Sequence, residues 1–142
     1  MIHFKLKQLF FDRQAVISKV DAATRKVLSR FGAFVRRSAK SAIRKRRQPA
    51  PPGSPPSSHT GLLKKFIFFG YDADARSVVI GPARLGGNGR GDAPPLLEYG
   101  GTATLVRRGK RKQVVYRARP YMGPAFEKEQ AKLPAQWRDS VK

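Results

Sequence analysis

No cysteine occurs in the 142-residue chain, which excludes disulfide scaffolds, thiol catalysis and cysteine-ligated zinc, and implies no oxidising compartment. Histidine is almost as scarce. His3 and His59 are the only two, and neither has a ligand cluster or a partner acid near it in sequence, which argues against metal binding and against acid–base work centred on an imidazole. Carboxylates are few, 9 Asp+Glu against 30 Lys+Arg. Long apolar runs are missing as well. Those present are short and broken by Lys or Arg, so no segment reads as a membrane span, and the basic, Phe-containing start lacks the apolar centre of a signal peptide. The expectation is a soluble protein made and used in a cytoplasm, with no cofactor, no metal and no membrane partner.

What remains is charge and a modest core. The formal net charge is +21, yet 40% of the residues are apolar, nine of them Phe. A domain typically holds about 100–200 residues, so the chain has room for one core, and full disorder is disfavoured. So much positive charge on one small body repels itself and calls for a polyanion or an acidic partner.

Asp12 reads as a helix N-cap, its carboxylate placed to accept from free N–H groups of the first turn. From 12 to 47 no proline interrupts, and Ile17, Val20, Thr24, Leu28, Phe31, Val35, Ser38 and Ala42 recur at spacings of three and four. This predicts one long amphipathic helix. Gly32 costs about 1 kcal/mol relative to Ala inside a helix, so either the helix bends there or a neighbouring element comes close. Residues 48–61 are crowded with Pro, Gly and Ser and form an extended connector, either a stiff spacer or an arm that docks on a partner.

Within 62–120, β-branched and aromatic runs at Leu63–Phe69 and Ser77–Gly81, separated by the turn-rich Tyr71–Arg76, predict a β-hairpin. Residues 85–95 hold four Gly, one Asn and two Pro and read as a mobile exposed loop. Leu96–Tyr99 is an apolar turn closed by Gly100 and Gly101. Strands Thr102–Val106 and Gln113–Ala118 then flank a basic tip. After Gly123-Pro124, residues 123–133 predict a short helix, with Pro near its start and acids in its early turns. An alternating Ile2–Lys7 edge strand and Trp137, packing the tail back, complete an α+β reading. The long N-terminal amphipathic helix packs on a small, mainly antiparallel β-sheet of hairpins, with a short C-terminal helix.

The cations cluster. Ten lie from Arg25 to Arg47 and seven from Arg107 to Arg119, with no acid in either segment. Helix-dipole complementarity accounts for a few near a helix end, not for ten, and a hairpin tip has no dipole to satisfy. Arg36, Arg37, Lys40, Arg44, Lys45, Arg46, Arg47, Arg107, Arg108, Lys110, Arg111 and Lys112 are therefore candidates for contact with DNA phosphates or with an acidic partner, through charge rather than base readout. No helix-turn-helix, zinc-finger or RNP-type pattern accompanies them.

Catalytic patterns are weak. Asp72 and Asp74 read as turn chemistry rather than as a metal pair. The stretch Gly86-Gly87-Asn88-Gly89-Arg90-Gly91 has the composition of a phosphate cradle but lacks the Gly-Lys-Ser/Thr ending. Glu98, in an apolar turn between cationic elements, reads as an ion-pair anchor for a nearby Arg rather than as a general base.

The order of segments carries a resemblance. The long basic helix, the connector Pro52-Gly53-Ser54-Pro55-Pro56-Ser57-Ser58-His59-Thr60-Gly61-Leu62-Leu63, the strand end Val78-Val79-Ile80-Gly81-Pro82, the turn Leu97-Glu98-Tyr99-Gly100-Gly101 and the segment Arg119-Pro120-Tyr121-Met122-Gly123-Pro124-Ala125-Phe126 before a final helix together resemble small neck proteins of tailed bacteriophages. These are the head–tail connector, tail-completion or minor tail proteins of virion morphogenesis. The resemblance covers about Asp12 to Trp137. It implies a non-enzymatic α+β structural subunit of the virion neck or tail, assembled in the host cytoplasm as a ring of identical copies. The partners it implies are adjoining head-closure, portal-side or tail-terminator proteins and, non-specifically, packaged DNA. Pro55, Pro56, His59, Glu98, Tyr99, Arg119, Tyr121 and Met122 would then shape subunit or neighbour contacts. The Gly-rich 86–91 and the Arg-dense 107–112 depart from the family pattern. Two other readings compete: a non-specific nucleic-acid-binding module of the ribosome-associated type, and an enzyme acting on an anionic substrate.

Overall fold

Asp12 starts the first helix through its side chain: Oδ1 accepts from the backbone N–H of Ala15 at 3.0 Å, and α1 runs Arg13–Ala42. The structure, a computed structural model, describes residues 12–83, 93–138, 140 and 141. The edge strand read at Ile2–Lys7, with His3, and the Gly-rich 86–91 lie outside the described residues. After α1 come α2 (Leu62–Lys65), the strands β1 (Ile67–Asp72) and β2 (Ser77–Pro82), α3 (Ala93–Tyr99), the strands β3 (Gly101–Arg107) and β4 (Lys110–Tyr116), α4 (Met122–Gln130) and α5 (Leu133–Trp137). The fold is α+β. Its four strands form two separate antiparallel hairpins, β1–β2 and β3–β4.

α1 buries a row of every fourth residue, Ala23, Val27, Phe31, Val35 and Ala39, and Ile43 just past the helix continues it. The apolar stripe read from sequence meets this row at Phe31 and Val35. Thr24, Leu28, Ser38 and Ala42 lie beside it, half-buried, and Val20 is exposed. Alanine carries little hydrophobic signal, so its part in the row was hidden; yet small residues there are what let neighbouring elements approach. Gly32 lies on this seam. A Cβ at Gly32 would stand 2.8 Å from Phe69 Cδ2 and 2.8 Å from Val78 Cγ2, so of the two readings of Gly32, close approach is the one found.

The helix stops at Ala42, five residues short of the expected 47. Ile43 is extended (φ −77°, ψ 117°) and fully buried, so the chain leaves the helix there while the side chain stays in the core. Arg44 then pairs in parallel with Ser57, and its carbonyl accepts from the Ser58 N–H at 3.0 Å. The connector is thus neither a free spacer nor a free arm. It is bound to its own body, with Ala50, Pro56 and Ser58 buried and the Gly53 N–H donating to the Ala118 carbonyl at 2.9 Å.

Other boundaries move for local reasons. Leu63–Lys65, read as the start of a strand, belongs to one helical turn, Leu62–Lys65, entered through Gly61 at φ 80°. Asp72 Oδ1 accepts from the N–H groups of Asp74 (3.0 Å) and Ala75 (3.1 Å), the turn chemistry its position suggested. The expected loop 85–95 gives way at Ala93 to α3, whose first turn holds Pro94 and Pro95; proline suits a helix start, where its missing N–H costs nothing. The apolar Leu96–Tyr99 is the end of that helix. β3 and β4 run inward to within two residues of each other, and Arg108 (φ 51°) and Gly109 (φ 74°) make the turn, the pair of left-handed residues that a tight hairpin requires. The final helix, read at 123–133, is two: α4 ends at Gln130, and Pro134 falls in the first turn of α5 rather than ending a helix.

The core joins Phe31, Val35, Ala39, Ile43, Ile67, Tyr121 and Ala125, flanked by Leu63, Val78, Ile80, Leu97, Met122 and Leu133. α1 is therefore held between the β1–β2 hairpin and α4, with Phe31 and Phe126 edge to face at 5.5 Å. Full burial of side chains such as Val35, Ile43 and Ile67 contributes about 1.5–3 kcal/mol each.

One polar contact crosses the α1–α4 seam. Glu129 is 4% exposed; it accepts from Ser38 Oγ at 2.6 Å and from Lys132 Nζ at 2.9 Å. The Ser38 hydrogen bond, then that of Lys132, hold its carboxyl below the ordinary 4.5 against the opposing effect of burial. A lowered folded value means that the stabilisation is fully present above the unfolded value and is lost as pH falls through the folded one. Glu129→Gln is expected to cost about 1–2 kcal/mol at neutral pH, and chemical denaturation across an acid series should show variant and parent converging below the carboxylate range. An unchanged gap at low pH would place the cost in packing instead.

Candidate functional site

The site begins with where the few acids go. Asp12 caps α1 and Asp72 closes a turn. Glu98 Oε2 accepts from the N–H groups of Tyr121 (2.9 Å) and Met122 (3.0 Å), and Oε1 from Gly123 (2.7 Å), so it caps α4 and is not the ion-pair anchor its setting suggested. Glu129 is held between Ser38 and Lys132. Among the described residues two ion pairs form, Arg76–Asp21 at 3.3 Å and Lys132–Glu129 at 2.9 Å. Among the described residues, Asp12, Asp72, Glu98 and Glu129 serve backbone and fold, and two ion pairs do little to offset the positive charge.

At the α1 end the cations divide. Arg36 is structural in part: half-buried, its Nε donates to the Ile67 carbonyl at 2.7 Å. Arg37 is exposed and lies 5.6 Å over the Phe34 ring. Lys40 is held below its ordinary 10.5, first by partial burial and then by repulsion from Arg36 and from Lys64 of α2, the mark of cations crowded without an anion. Arg44, Lys45, Arg46 and Arg47 lie beyond the helix and are exposed. Arg44 and Arg46 line a cleft of about 330 Å³ shared with Ser41, Ser54 and Ser57, a setting of guanidinium and hydroxyl donors suited to an oxyanion. Lys64 joined this cluster unnoticed in the sequence, since α2 brings it there from a distance.

The second cluster is a paired strand end rather than a loose tip. Arg107 faces Lys110, Val106 faces Arg111 and Leu105 faces Lys112. Arg107, Lys110 and Lys112 thus share one face and Arg111 the other, with Arg108 in the turn. Like charges directly opposite weaken a hairpin, so the Arg107–Lys110 pairing does nothing for folding. Both faces of the outer arm are open, with Leu105, Val106 and Val115 47%, 66% and 75% exposed.

The eight residues expected to shape neighbour contacts separate as well. Tyr121 is 1% exposed and belongs to the core; burial, then the Glu98 charge, push its phenol up to about 12. Pro56 is fully buried, and Met122 packs against the core. Pro55, His59 and Tyr99 are exposed. Arg119 donates its Nε to the Ala50 carbonyl at 2.7 Å. Pro56, His59 and Arg119 meet Leu97, Val115 and Tyr116 around a groove of about 490 Å³ between the connector and the β3–β4 hairpin. The sequence held no sign of this groove, because its walls come from four separate segments.

Among the described residues, no three His, Asp or Glu side chains gather to hold a metal ion, and no helix is long and apolar enough to cross a membrane. Neither protein-family models, nor curated proteins, nor solved structures gave a match to the chain. The arrangement suits the binding of extended anions by charge, with non-specific geometry.

Proposed function

We propose that the chain is a structural, non-enzymatic subunit of a tailed-phage virion, a neck or tail-completion component joining the DNA-filled head to the tail. Its cationic surfaces face packaged DNA or the acidic rim of an adjoining ring. The observation that carries this reading is the meeting of two of the five segments on which the resemblance rests. The carboxylate of Leu97-Glu98-Tyr99-Gly100-Gly101 holds the backbone of Tyr121, Met122 and Gly123, so the series works as one architectural device. The same bonds occupy Glu98, the acid weighed in the sequence as an ion-pair anchor against a general base.

Copies associate through heterologous contacts that close a ring, the open β3–β4 arm being the natural lever. DNA must slide through such a ring, and phosphate contact without base contact allows it. The mass of the purified protein, by light scattering at about 150 mM salt with and without a short duplex of arbitrary sequence, tests the reading. A defined oligomer that forms without the duplex supports it. A stable monomer that binds the duplex tightly, with steep salt dependence, overturns it in favour of a nucleic-acid-binding module.

A further inference from the structure

A cleft of about 390 Å³ opens between the N-terminal half of α1 and the segment at and after α5, and takes in Lys26 and Arg30 from the start of the Arg25–Arg47 segment. Four cations line it: Lys19, Lys26 and Arg30 from the helix, and Arg138 from the opposite wall. On the helix the spacing of seven and then four residues puts the three side chains on one face. No carboxylate lines the cleft among the described residues; Asp21, the nearest acid along α1, is paired with Arg76.

The floor is apolar, made by Ala22, Ala23 and Val27, of which Ala23 and Val27 are 4% exposed. Gln136 also lines the cleft; its side-chain oxygen is buried with no hydrogen-bond partner among the described residues and meets a ligand only when the side chain turns into the cleft. A bare phosphate would answer the cations and leave the rest unused. A nucleotide answers all three features: phosphate on the cations, sugar and base against the floor, and a base or ribose donor for the Gln136 carboxamide. The volume falls in the range of small-ligand sites, about 300–1,000 Å³.

We propose that this cleft binds the phosphate and nucleoside of a nucleotide, free or as one unit of a single strand. The inference is independent of the neck reading, since oligomeric mass and nucleotide affinity are measured separately. The test compares two variants of equal charge: the cleft variant Lys26→Gln/Arg30→Gln/Arg138→Gln, and Arg13→Gln/Arg25→Gln/Lys128→Gln, whose cations lie outside the cleft lining. Thermal melts establish that both are folded. Calorimetric titration uses a nucleoside triphosphate, a short single-stranded oligonucleotide and inorganic tripolyphosphate.

The cleft variant is expected to lose about tenfold or more in affinity for a nucleotide probe, against about twofold for the other variant. Gln136→Leu should weaken nucleotide binding and leave tripolyphosphate unchanged. Binding of the free triphosphate assigns the cleft to free nucleotides, and binding of the oligonucleotide alone assigns it to a strand. Equal losses in the two charge-matched variants would show only the field of a highly cationic protein and overturn the proposal. So would tripolyphosphate binding as tightly as the nucleotide.

Discussion

Glu98→Ala will lower the stability of the protein by about 3 kcal/mol, because three backbone N–H groups at the start of α4 lose one charged acceptor together. The bonds are short, 2.7–3.0 Å, and charge-assisted, and the carboxylate lies at the positive end of the α4 dipole. Gly123 permits the approach: a Cβ there would stand 3.1 Å from Glu98 Oε1. Part of the loss will be recovered by water, since Glu98 is half-buried. Glu98→Gln keeps one acceptor and should cost about half as much. Hydrogen exchange reads the location directly, with the amides of Tyr121, Met122 and Gly123 losing protection ahead of the α1 core. A loss below about 1 kcal/mol, within the range of an ordinary surface hydrogen bond, would mean that α4 holds its place without the cap.

Gly32→Ala sets two rules against each other. Helix propensity favours alanine by about 1 kcal/mol, and at an exposed site the substitution would stabilise. Here the new methyl would meet Phe69 Cδ2 and Val78 Cγ2, each at 2.8 Å, closer than carbon atoms approach. Forcing one carbon into a packed seam costs about 1–3 kcal/mol. The expected net effect is a loss of up to about 2 kcal/mol, growing with side-chain size through Gly32→Leu. Val78→Ala removes one of the two obstacles, so the double variant should recover part of the loss, a coupling that a double-mutant cycle measures. A stabilised Gly32→Ala protein would show that the hairpin shifts away at little cost and that the seam is loose.

Both effects turn on contacts of different reach in sequence, and reach decides what was legible. Asp12 as a cap and the two hairpins follow from residues within a few positions of one another, and the sequence showed them; at Gly32 it left a bend and a close neighbour open, because the neighbours, Phe69 and Val78, come from far along the chain. The end of α1 does not. It depends on Ile43 entering a core built partly from Ile67 and Tyr121, and on Ser58 returning to the Arg44 carbonyl. The Glu98 cap joins residues 23–25 apart, and nothing in the local pattern separates such a cap from an ion-pair anchor. α3 had a readable signal that was passed over, namely prolines in a first turn followed by an apolar run and Gly100. Of the candidate site, the charge was legible from counting alone. The clefts were not: two are walled by segments far apart in the chain, and the third exists only because the connector folds back on the end of α1.

The division of labour among the charged groups has a consequence for how such a sequence can change over generations. The fold's polar bonds rest on Asp12, Asp72, Glu98 and Glu129 and on Arg36 and Arg119, which donate to carbonyls. The exposed lysines and arginines take little part in that set. Substitutions among them leave the architecture in place, and the sign or density of surface charge can drift with whatever the surface must meet. One scaffold can in this way be refitted to a succession of partners, while the few carboxylates that cap and bridge its elements stay where they are.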